Sequence, residues 1–134
     1  MREITTHMVD GKGAGQDDTQ IFVEDLPGQG GACHKYVVTT KGPAANMMLE
    51  DGSAVQALLR ISFQDGPIQE VGINGVQQEH LAAVMIDRLE GFQGGKYANE
   101  LNAKALASFR EGLGYLQQRT RDRIARGVEG HNKA

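Results

Sequence analysis

The chain has 134 residues, of which 40% are hydrophobic and 23% charged, and its 18 glycines suit a folded protein with glycine-heavy loops better than a disordered one. A formal charge of −3 and a pI near 5.8 exclude a global field that would gather nucleic acid or an anionic membrane. One cysteine, Cys33, excludes an internal disulfide and a thiolate metal centre and fits a reducing compartment, and no run approaches the roughly 18 apolar residues of a membrane span.

Residues 1–20 carry Gly11, Gly13 and Gly15 among acids and amides, and they read as a mobile arm or an irregular edge. Thr19 to Asp25 is rich in β-formers and is followed by the turn-forming LPGQGGA. Cys33 to Thr40 completes a hairpin in which His34, Tyr36 and Val38 alternate with Lys35 and Val37, leaving either face as the buried one. Lys41 to Ser53 is broken by Gly42, Pro43 and Gly52 and reads as a connection with one short apolar turn. Ala57, Leu59, Ile61 and Phe63 then alternate with Leu58, Arg60 and Ser62, the pattern of a half-buried strand. Asp65 to Pro67 turns the chain, and Ile68 to Val71 is expected to return as a further strand.

Asn74 is a candidate N-cap for a helix over Val76 to Phe92, where Leu81, Val84, Met85, Leu89 and Phe92 recur at helical spacing. Gly91, Gly94 and Gly95 break it, and a second helix is expected from about Ala98 to Arg126, released by Gly127 and Gly130. A short glycine-rich connection makes the two an antiparallel hairpin. The fold class is therefore α+β, an N-terminal antiparallel β-sheet over residues 1–75 followed by a helical hairpin over 76–134, in one cooperative domain. With few aromatics and no tryptophan the core is modest, so self-association is expected.

The second helix changes character along its length. Leu106, Phe109, Leu113 and Leu116 alternate steps of four and three, forming one narrow seam whose continuations are polar: Asn102 at one end, Thr120 and Arg123 at the other. Arg119, Arg123 and Arg126 share a face near the C-terminal end. Guanidinium groups bind phosphate in bidentate fashion, at about 1.5–3 kcal/mol each when partly desolvated, and two of them one turn apart suit a pyrophosphate. The competing reading is a solvated face favoured by the helix dipole, with Asp122 and Glu129 as partners. Phe92 and Tyr97 bracket the bend and either close its core or offer a flat face to a nucleobase, a contact of about 1–3 kcal/mol. Asn102 either reads a base or ribose edge or fixes helix pairing.

Asn102 and Arg123 lie roughly 30 Å apart at 1.5 Å per helical residue. No small ligand touches both in one chain. A single site built from both needs two chains, most simply a twofold dimer of antiparallel helices.

Enzymatic constellations are missing. His7, His34, His80 and His131 are scattered, and Glu79 and His80, adjacent on a helix, diverge by about 100°. Cys33 and His34 face opposite sides of a strand. GKGAG and GQGGA lack the lysine and hydroxyl of a phosphate-binding loop. No catalytic residue, metal ligand or cofactor is assigned.

The segments GPIQEVGINGV, IDRLEGFQGGKYANELNAKAL and LQQRTRDRIARGVEGHNK resemble a phage-encoded family, the Thoeris anti-defence sponges, whose helical hairpin is shared with the anti-CBASS cyclic-oligonucleotide sponges. The ending RTRDRIARGVEG carries the resemblance most specifically, and the β-rich first half favours the anti-Thoeris branch. The resemblance implies a protein of the infected host's cytoplasm that sequesters glycocyclic ADP-ribose without degrading it. It also implies a ligand site between subunits of a homodimer or hexamer. Family contacts carried onto this chain fall on Phe92, Asn102, Arg119 and Arg123, with Tyr97 and Arg126 as secondary candidates. Lys96 and Tyr97 stand where the family commonly has a Pro-Phe pair. Two alternatives stay open: a sponge for cyclic di- or trinucleotides, and a structural phage protein whose arginine end docks a partner or nucleic acid, which the acidic balance disfavours.

Overall fold

The computed structural model describes residues 1–13 and 17–131, which form two compact units, Met1–Asp65 and Gly66–Ala134. The first is a five-stranded antiparallel sheet of β1 (Arg2–Ile4), β2 (Gln20–Val23), β3 (Lys35–Thr40), β4 (Met47–Met48) and β5 (Ala54–Ser62), in the order β1-β2-β3-β5-β4. The second contains α1 (Ile68–Val71), α2 (Gln78–Gln93) and α3 (Glu100–Ala125). The expected α+β order, sheet before helices, is the observed one.

In the sheet, the choice left open for β3 falls to Val37 and Thr39, which with Val23 and Val55 are its most deeply buried side chains. The hairpin loop between β2 and β3 is closed by Asp25, whose carboxylate accepts the amides of His34 at 2.9 Å and Lys35 at 3.0 Å. Its tip, Gln29–Gly31, is a single tight turn in which Gly30 and Gly31 have φ of 81° and 86°, a region that favours glycine.

Other readings of the sequence are settled or corrected by the structure. Of the two readings left open for the first residues, the edge is the observed one: Arg2–Ile4 pairs with β2 as an edge strand, Ile4 opposite Ile21, although residues 14–16 of that stretch lie outside the described residues. The connection from Lys41 contains β4, whose two methionines pair with Val55 and Ala54. The alternation in β5 is interrupted, because the register against β3 shifts between Val38 and Thr39, leaving Leu58 as an extra residue. Leu58 and Leu59 are in consequence both about half exposed, at 52% and 51%.

Ile68–Val71 is one turn of helix and not a strand. Pro67 enters it with φ −68°, and Gly72, at φ 77°, closes it by donating to the Ile68 carbonyl at 2.9 Å. Four residues are too few for β-formers to declare a period, so the flanking Pro and Gly decide. The Gln69 amide then bonds the Gly130 carbonyl at 2.9 Å, tying this turn to the tail behind α3.

Asn74 does not cap α2. The helix starts four residues later, after Gln77, whose amide donates to His80 Nδ1 at 2.9 Å. At the other end of α2, Gln93 makes the bend: its Oε1 accepts the Asn99 amide at 3.1 Å and its Nε2 donates to the Asn99 carbonyl at 3.2 Å. Asn99 Oδ1 in turn accepts the Asn102 amide at 2.8 Å, so α3 begins at Glu100 instead of Ala98. Only Ile86 of α2 and Leu106 of α3 are apolar side chains buried in this unit among the described residues. None of the described helices is long and apolar enough to cross a membrane.

Candidate functional site

At the bend, Phe92 closes the last turn of α2 and Tyr97 follows the glycines. Their rings meet edge to face, with centroids 6.4 Å apart and planes at 87°. The Arg88 guanidinium lies over the Phe92 ring at 5.0 Å from its centroid, and Lys96 Nζ lies 5.3 Å from that of Tyr97. Phe92 is half-buried, whereas Tyr97 is 63% exposed and presents the larger free aromatic surface. Asn102 sits one turn into α3 beside them in sequence, half-buried, its backbone N–H donating to the Asn99 cap.

The cationic end is less uniform than its spacing suggests. Arg119 is exposed and has no hydrogen-bond or ion-pair partner among the described residues. Arg123 is only 11% exposed: its Nε donates to Glu129 Oε2 at 3.0 Å, and one terminal nitrogen donates to the carbonyls of Val128 at 3.0 Å and His131 at 2.9 Å. It therefore clamps the chain that turns back after α3, a turn made possible by Gly127 at φ 71°. Arg126 is exposed at the helix cap. Glu129 is a partner, as the solvated-face reading expected, but it takes Arg123 out of solvent; Asp122 instead accepts from Gln118 Nε2 at 2.7 Å.

α3 is one uninterrupted helix from Glu100 to Ala125, so the separation of its two ends is rigid. Roughly 30 Å of helix divides Asn102 from Arg123. The structure brings together Phe92 and Tyr97 at one end and Arg119 and Arg123, one turn apart, at the other. It does not bring the two sets together within a chain.

Between them runs an open groove of about 470 Å³ on the hairpin, lined by Leu81 and Met85 of α2 and by Phe109, Gly112, Leu113 and Leu116 of α3. The seam read from sequence thus divides. Leu106 faces α2 and is 6% exposed, while Phe109 is 41% exposed. Within the chain Leu106 is buried, Leu113 and Leu116 are half-buried, and Phe109 stays exposed.

Several residues that shape the site escaped the sequence reading. Gln93 and Asn99 lock the bend; the signal for Asn99 was its place as an N-cap type three residues before Asn102, ahead of a helical period. Arg88, over Phe92, stands four residues before it, the spacing of helical neighbours. Arg110 joins Glu90 at 3.3 Å across the two helices, a contact between elements that carries no local signature.

In the sheet, buried His34 has Nδ1 3.8 Å from Asp25 Oδ2 and Nε2 3.8 Å from Asp65 Oδ1, too far for hydrogen bonds, and Cys33 Sγ points to the Asp25 carbonyl at 3.6 Å. That is no nucleophile and base pair. No group of three His, Cys, Asp or Glu residues among those described is placed to hold a metal ion.

Residues 56–121 match the Acb2/Tad1 hairpin domain, a span that takes in all of α2, the bend and Arg119 and stops short of Arg123. Over 129 residues the chain is 36% identical to "Thoeris anti-defense 1" of Bacillus phage SBSphiJ7, an alignment that covers 86% of this chain and 91% of that protein.

Proposed function

The chain belongs to the Thoeris anti-defense 1 family, and from that premise we propose that it is a phage anti-defence protein that sequesters a cyclic ADP-ribose signal, glycocyclic ADP-ribose foremost, without degrading it. The observation that carries this reading is the division of α3 into an aromatic, amide-bearing end and an arginine end too far apart to serve one ligand in one chain. Two antiparallel copies bring the ends together twice, giving two equivalent pockets at a subunit interface.

In each pocket Phe92, with Tyr97 at its edge, stacks on the adenine, and Asn102 orients the ribose or base. Arg119 and Arg123 of the other copy hold the pyrophosphate, with Arg126 alongside. Arg123 arrives already oriented by Glu129 and two carbonyls, so little side-chain freedom is lost when an anion binds. Arg119 supplies the exposed charge that a phosphate approaching from water meets first. Nanomolar retention requires about 12 kcal/mol. Two guanidinium contacts and one stack at about 1.5–3 and 1–3 kcal/mol fall short, so enclosure between two chains must contribute the rest. A sponge needs such enclosure and no general acid, base or nucleophile.

Titration calorimetry of the intact protein with glycocyclic ADP-ribose, followed by heat denaturation and mass measurement of what is released, tests this reading. Saturable heat and recovery of the ligand at unchanged mass are expected. Absence of heat, or recovery of a linear or hydrolysed product, overturns it. Cyclic di- and trinucleotides run as competitors in the same cell identify whether they are the principal cargo instead.

A further inference from the structure

Arg88 stands four residues before Phe92 on α2, and its guanidinium carbon lies 5.0 Å from the Phe92 ring centroid. That contact draws on the charge of the group and leaves its hydrogen-bonding capacity unused. Arg88 is exposed, and among the described residues its N–H groups donate to no acceptor. Nor does an acid claim it from the same helix. Asp87, its neighbour in sequence, diverges from it by about 100°, and Glu90 is engaged by Arg110 at 3.3 Å.

The arginine end of α3 leaves a charge to be matched. A pyrophosphate esterified on both sides, as in a cyclised ADP-ribose, carries one negative charge on each phosphorus. Of the two arginines assigned to it, Arg123 faces Glu129 Oε2 at 3.0 Å, so its charge is largely offset within its own chain. Arg126 follows Asp122 by four residues, the spacing at which opposite charges offset each other on a helix. Arg119 supplies one cation. An enclosed anion bearing two charges needs another, because an unmatched charge taken from water is costly.

We infer that Arg88 is a further ligand-contacting residue, which meets the phosphate nearer the adenine and matches the charge that Arg119 leaves over. This rests on the reading that Phe92 takes the base while Arg119 and Arg123 of the other copy take the pyrophosphate. The ring that receives the base and the cation that receives a phosphate then belong to one helix, one turn apart, and grip the two groups at a fixed separation. Arginine suits the position: its planar fork keeps several donors for phosphate oxygens while the group rests against an aromatic ring. Lys96, with Nζ 5.3 Å from the Tyr97 centroid, is the other cation at this end, but it stands in the turn beyond α2 and lacks that fork.

Titration calorimetry of the full chain with two probes, glycocyclic ADP-ribose and inorganic pyrophosphate, each at low and high salt, tests this directly. Arg88→Gln is expected to bind glycocyclic ADP-ribose roughly ten- to a hundredfold more weakly, to weaken pyrophosphate in parallel, and to depend less steeply on salt. Arg88→Lys, which keeps the charge and loses the fork, should recover part of both. Arg121→Gln removes an exposed arginine outside the site and should bind as the parent does; an equal loss there reduces the effect to overall charge and overturns the contact. Pyrophosphate has no base to stack, so it separates contact from support. A loss confined to glycocyclic ADP-ribose shows that Arg88 only steadies Phe92, which overturns the inference, as does parent-like affinity of Arg88→Gln for that ligand. Failure of the cargo reads differently: a parent that gives no heat with glycocyclic ADP-ribose but binds pyrophosphate through Arg88 sinks the proposed cargo and leaves the contact standing, and a parent that binds neither removes both.

Discussion

Arg123 and Glu129 join the end of α3 to the chain that leaves it, Nε to Oε2 at 3.0 Å, and the same guanidinium holds the Val128 and His131 carbonyls. A residue assigned to an anion is thus also the clasp of its own helix terminus. Hydrogen bonds to a charged group contribute about 1.5–3 kcal/mol, less where the partner is as exposed as Glu129. Arg123→Ala is expected to lower stability by about 1–2 kcal/mol in urea unfolding, and Glu129→Gln by about half that. An unchanged midpoint in both would show that the clasp contributes nothing.

Arg119 gives the cleaner test of phosphate binding. It is exposed and engages no other described residue, so Arg119→Ala should change stability by less than about 0.5 kcal/mol. Loss of one partly desolvated guanidinium contact, about 1.5–3 kcal/mol, corresponds to roughly ten- to a hundredfold weaker binding of a cyclic ADP-ribose by calorimetry. Parent-like affinity would remove Arg119 from the site.

Three carboxylates make the first unit acid-sensitive. Burial of Asp25 opposes its ionisation, but the Lys35 and His34 amides and the nearby His34 imidazole outweigh that and hold its pKa below the ordinary value. Asp17 is lowered chiefly by the Thr19 hydroxyl and then its amide, and Asp51 by the Ser53 hydroxyl and then its amide. A depressed folded pKa gives stability that is complete above the unfolded value, about 4, and is lost as pH falls through the folded one. Asp25→Asn should therefore be less stable than the parent at pH 7, with the gap closing below about pH 4. A gap constant from pH 7 to pH 2 in thermal melts would contradict the assignment.

The sequence announced what was periodic or long. α3, the seam within it and the strands around Val23 and Val37 were all legible, because burial imposes a repeat on such elements. What escaped was short or depended on partners distant in sequence. Two residues of β4 cannot show a period, and the bulge at Leu58 appears only when β5 is set against β3. The spacing of Arg119, Arg123 and Arg126 implied three equal charges. It could not reveal that Arg123 is drawn inward, since that follows from the tail's return at Gly127.

Asn99 is expected to control the geometry of the aromatic end. Its side chain caps α3, and its backbone is held on both sides by Gln93. Removal of such a cap costs about 0.5–2 kcal/mol. Asn99→Ala should lose about that much stability and also alter the near-ultraviolet circular dichroism of Tyr97, whose carbonyl accepts from Asn99 Nδ2 at 3.0 Å. A stability loss with an unperturbed tyrosine signal would restrict Asn99 to capping.

Leu106 and Phe109 are neighbours on one seam with different expected energetics. Leu106 is 6% exposed and packed within the hairpin, so Leu106→Ala should cost about 2–5 kcal/mol whatever the protein concentration. Phe109 is 41% exposed in the single chain, so much of its apolar surface is available only to a second copy. For a dimer, the unfolding midpoint rises with protein concentration through mass action. Phe109→Ala should flatten that dependence, and Leu106→Ala should shift the whole curve downward while preserving its slope. Thermal melts across a hundredfold range of concentration separate the two, and a parent midpoint that does not move over that range would show that the Phe109 side of the seam is left to solvent.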